Sequence, residues 1–129
     1  MVRRVRVFIS HSGRDRWIAT QLDRNLQSIG VETFLDEKDI QGGDRITERV
    51  RVEITRCDET LIVLSSASQQ SDWVKAEIGA AWVLGKRIVI LLDKLSPRDI
   101  PQIVSDYKAF DLNDAERYFE EVKNRSRNL

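Results

Sequence analysis

The chain has 129 residues, 41% hydrophobic and 33% charged, a size and balance that suit one folded domain rather than a disordered segment. Lysine plus arginine and aspartate plus glutamate both number 21, so no net charge recruits a polyanion and direct nucleic-acid binding gets no support. One cysteine, Cys57, and one histidine exclude an intrachain disulfide and most zinc constellations, so no metal is expected and a reducing, cytoplasmic setting fits best.

The chain opens with arginines among valines, but its first apolar run, Val7-Phe8-Ile9, is far shorter than the roughly seven residues a signal peptide needs. No stretch nears the ~18 apolar residues of a membrane span, so no membrane partner is expected. Val5 to Ile9, rich in β-branched and aromatic residues, predicts a first strand, and Ser10-His11-Ser12-Gly13 predicts its loop. From Asp15 on, Trp17, Ile18, Leu22, Leu26 and Ile29 recur at helical spacing and stop at Gly30, a good helix terminator. Val31 to Leu35 reads as a short second strand. Residues 36–45 are polar, carry Gly42-Gly43 and lack periodicity, which predicts a long loop.

Ile46, Val50 and Ile54 mark a second helix to about Arg56. The unbroken run Thr60-Leu61-Ile62-Val63-Leu64 suits a parallel strand buried on both faces. Residues 65–70 are expected to form a loop. Ser71-Asp72 then offers an N-cap and an acidic first turn to the most apolar helix, which runs to Leu84 and is closed by Gly85. Arg87 to Leu92 is a fourth strand. Residues 93–105, with Pro97 and Pro101, form a loop with room for a helical turn; residues 107–112 form an edge strand, and Asp114 caps a last helix to about Arg125.

This alternation of strand and helix predicts an α/β doubly wound parallel sheet, five strands wide. Ligands bind such sheets outside the carboxyl ends of the strands, near the switch point, where the loops 10–14, 36–45 and 65–71 should meet. Gly42-Gly43 lacks the spacing of a phosphate-binding loop and reads better as a hinge.

The punctuation of these elements resembles the Toll/interleukin-1 receptor (TIR) domain family. Phe8-Ile9-Ser10-His11 stands where the family has its first strand, with histidine in place of a frequent tyrosine. Phe34-Leu35-Asp36, Ile40, Gly43 and Ile46 follow in order, then Val63-Leu64-Ser65, then Ser71-Asp72-Trp73-Val74-Lys75-Ala76-Glu77, similar to the family's S-x-W-x-x-x-E segment. From residue 93 on, the match is only a general one of strand and helix.

The resemblance implies a flavodoxin-like sheet in the order 2-1-3-4-5, with the whole chain, residues 1–129, as a single TIR domain. It also implies cleavage of NAD+ as substrate, with no other cofactor, by a glycohydrolase or ADP-ribose cyclase acting in defence or cell-death signalling. Glu77 takes the place of the catalytic carboxylate. The alternative is a non-catalytic module that associates with itself or with other TIR domains, since the fold hosts both.

In NAD+ the nicotinamide ring leaves as a neutral group, so one placed carboxylate suffices to stabilise the oxocarbenium-like ribose. Trp73, four residues before Glu77, shares its helix face and either stacks on substrate or belongs to the core. Ser10, His11, Ser12, Asp36 and Ser71 are the remaining candidate substrate contacts; each also has a plain reading as a loop or capping residue. Asp39, Ile40, Gly43 and Arg45 are the candidate interface residues, in what the resemblance makes an assembly loop. Trp17, Trp82 and Cys57 are read as structural.

A receiver domain, which has a similar sheet, fits poorly. It wants an acidic pair after the first strand and an aspartate ending the third, where this chain has Ser10-His11 and Ser65. A nucleoside deoxyribosyltransferase-like enzyme shares the general fold and a catalytic glutamate, and related transfer chemistry stays open.

Overall fold

A computed structural model describes residues 4–35 and 46–127. Five strands, β1 (Arg6–Ser10), β2 (Glu32–Leu35), β3 (Glu59–Leu64), β4 (Arg87–Leu92) and β5 (Ala109–Asp111), pair in parallel in the order β2-β1-β3-β4-β5. This is the expected doubly wound order. The chain winds one way from β1 to β2 and the other way from β3 onward, so the switch point lies between β1 and β3.

Alternation along the strands divides the core in two. Val7 and Ile9, Leu61 and Val63, and Val89 and Leu91 face α1 (Arg16–Ser28) and α5 (Ala115–Arg127), where Leu22, Leu26, Tyr118 and Val122 meet them. Phe8, Ile62, Leu64, Ile88 and Ile90 face the other way. Against them pack Val50 and Ile54 of α2 (Ile46–Arg56), and Val74, Ile78 and Ala81 of α4 (Asp72–Val83). Every residue of β3 is buried, as its unbroken apolar run requires at the centre of a sheet covered on both faces.

Helix ends follow local chemistry. Gly30 and Gly85 sit at φ +86° and +66°, just past α1 and α4, where a side chain would be strained. Three local expectations change. Residues 65–70, expected as loop, contain the one-turn helix α3 (Ser66–Gln69), whose N-cap Ser65 hydroxyl accepts from the Ser68 amide while the Ser65 amide donates to the Ser68 hydroxyl. Trp17, counted on the apolar stripe of α1, is 73% exposed. The buried stripe is Ala19, Leu22, Asp23 and Leu26, and Trp17 precedes it by two residues, about 200° around the helix. Trp82 is likewise half exposed at the end of α4.

Candidate active site

Ser10 ends β1 on the same pleat as Phe8, whose ring packs beneath α2 and α4. Helix α4 turns Val74, Glu77, Ile78 and Ala81 inward at spacings of three and four residues. Glu77 and Ser10 therefore meet under the carboxyl end of the sheet. The Ser10 hydroxyl donates to Glu77 Oε1 at 2.6 Å, and the two residues are 0% and 2% exposed. An ordinary helix glutamate lies in water; this one does not.

The register of α4 sets this meeting. Ser71 caps the helix, its side chain accepting from the Val74 amide at 3.2 Å, and Asp72 puts an acid in the first turn. Trp73 then stands one turn before Glu77, half-buried against the α2–α4 side of the core. Between α2 and α4 opens a cleft of about 230 Å³, lined by Arg51 and Ile54 on one wall and by Trp73, Ala76 and Glu77 on the other. A second cleft, of about 460 Å³, lies between the loop after β1 and the start of α4, lined by Ser12, Gly13, Arg14, Gln70 and Ser71.

Asp15, which carried no assigned role in the sequence, joins the two loops at the switch point. Its Oδ2 accepts from Ser12 Oγ at 2.9 Å and from Ser65 Oγ at 2.5 Å, and the residue is 7% exposed. The carboxyl ends of β1 and β3 are thus tied by one carboxylate. His11 is buried, and its Nδ1 lies 2.7 Å from the Ser12 carbonyl. A carbonyl only accepts, so Nδ1 carries the proton, and in the neutral ring Nε2 is an acceptor.

Of the residues expected at the site, Ser10, His11, Ser12, Ser71, Trp73 and Glu77 gather at this end of the sheet. Asp36, Asp39, Ile40, Gly43 and Arg45 lie outside the described residues. Three of the expected substrate contacts use their hydroxyls internally: Ser10 on Glu77, Ser12 on Asp15 and Ser71 as a cap. Cys57 is a core residue, 2% exposed, and burial pushes its thiol up to about 12, which leaves no thiolate for chemistry at neutral pH. Among the described residues no three His, Cys, Asp or Glu side chains could hold a metal ion, and no helix is long and apolar enough to cross a membrane.

The family model for the TIR domain matches residues 7–125. The chain is 30% identical over 119 residues to a protein of Brachypodium distachyon named as a probable 2' cyclic ADP-D-ribose synthase, covering 89% of this chain and 53% of that one. It is 30% identical over 127 residues to human Toll-like receptor 1, covering 93% of this chain and 16% of the receptor. It therefore spans about half the length of the first relative and a small part of the second. Among solved structures, the TIR domain of the Toll-related receptor TRR-2 from Hydra magnipapillata superposes with a TM-score of 0.75 at 21% identity, covering 94% of this chain and 97% of that one. A match to nearly the whole chain, with the sheet order described above, leads to one assignment: the chain belongs to the TIR domain family.

Proposed function

We propose that this TIR domain is an NAD+ nucleosidase, with Glu77 as its catalytic carboxylate. The observation that carries the reading is the burial of Glu77 at the switch point, one helical turn from Trp73 and at the edge of a cleft. In the reaction the bond between the nicotinamide nitrogen and ribose C1′ breaks. The ring keeps the electron pair and leaves neutral, positive charge develops on the ribose, and water adds at C1′ with loss of a proton to give ADP-ribose. A carboxylate fixed in a low-dielectric site stabilises that positive charge far better than one in water. The name of the Brachypodium relative supports chemistry at the same sugar carbon, where a nucleophile from the substrate itself would give a cyclic product.

At 2% exposure, Glu77 meets a ribose only after neighbouring groups shift, so turnover should rise more steeply than protein concentration if assembly opens the cleft. The test is nicotinamide release from NAD+ by purified protein over a concentration series, with Glu77→Gln beside it. Release that falls by about 10²-fold or more in the variant, at unchanged melting temperature, is expected for loss of a charge acting in the transition state. Equal release by both proteins removes Glu77 from the reaction.

A second reading, a TIR–TIR assembly module, is favoured by the exposed run Trp82, Val83 and Leu84 at the end of α4, which are 48%, 75% and 44% exposed. Absence of release at every concentration, together with self-association that Val83→Glu abolishes, selects it.

A further inference from the structure

We infer that Ser10 is a positioning residue: its hydroxyl fixes the Glu77 carboxylate, and it acts through that carboxylate rather than by touching substrate. The inference rests on the NAD+ reading for the reaction affected, while the coupling of the two side chains stands on geometry alone.

The separation of 2.6 Å is that of a hydroxyl donating to a charged oxygen, the stronger class of hydrogen bond. A serine hydroxyl has a single proton, and this one is committed to Glu77 Oε1. Glu77 lines the cleft between α2 and α4 and Ser10, 0% exposed, does not, so a substrate there meets Glu77 before Ser10. Both partners sit on rigid elements. Ser10 pairs with Ile62 across the β1–β3 ladder, and α4 is anchored in the core by Val74, Ile78 and Ala81.

Glutamate has three side-chain torsions to fix. A bond from an immobile donor removes that freedom before substrate arrives. The same bond favours the ionised carboxylate against burial, which favours the neutral one. Ser10 thus helps to keep Glu77 both aimed and charged.

The test compares wild type, Ser10→Ala and Ser10→Thr, each checked for folding by thermal melting. Two readouts are taken: kcat and KM for nicotinamide release across pH, and the titration of Glu77 followed by NMR of a ¹³C-labelled carboxyl, assigned with Glu77→Gln. In Ser10→Ala, kcat should fall about 10- to 100-fold with KM within about twofold, as expected for loss of a hydrogen bond to a charged group that acts in the transition state. The Glu77 titration and the acid limb of the rate profile should both move to higher pH, and Ser10→Thr, which keeps the hydroxyl, should restore both. A rise in KM at unchanged kcat overturns the inference in favour of direct substrate contact. An unmoved Glu77 titration overturns it outright. If wild type releases no nicotinamide under any condition, the NAD+ reading fails separately, and the titration alone decides whether Ser10 governs Glu77.

Discussion

Buried carboxylates stand at both ends of the sheet, but different side chains hold them. Near the amino ends of the strands, Glu53 lies 3.9, 3.3 and 3.5 Å from Arg6, Arg49 and Arg56, and Glu59 takes Arg125 at 2.8 Å and the Tyr118 hydroxyl at 2.8 Å. At the carboxyl ends, the bonds among the described residues come from serines: Ser10 donates to Glu77, and Ser12 and Ser65 donate to Asp15. An arginine cancels a carboxylate's charge, whereas a hydroxyl orients it and leaves the charge in place. The first arrangement suits a joint between elements. The second lies at the switch point where such folds bind ligands, and on the NAD+ reading proposed above it is the one that faces the developing positive charge.

The sharpest way to break this contrast is to remove a cation from the amino end. Arg125→Met strips Glu59 of its guanidinium, and urea unfolding should show a loss of about 2–3 kcal/mol, less than for a wholly buried pair because Arg125 is partly exposed. Combining it with Glu59→Met should recover most of that loss, and the Glu77 titration should not move in either variant. A cost below about 0.5 kcal/mol would make the pair a surface contact and void the comparison.

At the other end, Asp15→Ala leaves two buried hydroxyls without their acceptor, an expected cost of about 1–3 kcal/mol by the same unfolding measurement. Asp15→Asn keeps an acceptor oxygen and should cost less. If the Asp15 bridge sets the loops around the cleft, nicotinamide release should fall further in Asp15→Ala than the stability loss alone explains. Equal activity per folded molecule would confine Asp15 to stability.

The smallest effect is one of alkaline pH. Cys57 rises from 9.0 to about 12 through burial, opposed in part by Arg6, and burial together with Glu59 raises Tyr118 well above its ordinary 10. Raised values in the folded state mean that the unfolded chain loses these protons first. Their contribution is complete below pH 9 and declines as pH climbs towards 12, by at most about 1.4 kcal/mol per pH unit for each group. Cys57→Ala and Tyr118→Phe should each flatten the fall of stability above pH 9. A slope unchanged in both would assign the alkaline loss to other groups.

Much of this architecture was legible in the sequence because it is written locally. The strands from Val7, Leu61 and Ile88 announce themselves by β-branched runs. Ser71 and Gly85 bracket α4 by capping chemistry, and the four spaced segments from Phe8 to Glu77 resemble the TIR family in their order. Glu77 stood out because Ser71 to Glu77 resembles the TIR family's motif, and its spacing from Trp73 is one that a helix preserves. Trp17 was misplaced because its own apolarity fitted the stripe loosely, while the smaller Ala19 marks the true inner face. The helix at residues 66–69 was missed because a serine-rich segment reads equally as loop or as a single capped turn.

What the sequence determined by itself was the five strands, the four longer helices and their order, since periodicity and caps act within a few residues; the resemblance of its motifs to the TIR family added the carboxylate worth suspecting. Only the tertiary structure decided that Ser10 meets Glu77 across 67 positions, that Asp15 reaches Ser65 across 50, and that Glu59 is closed by Arg125 across 66. Those partners are brought together by crossovers and by the order of strands in the sheet. No local pattern encodes which serine, among several at the loop ends, will stand beneath the glutamate.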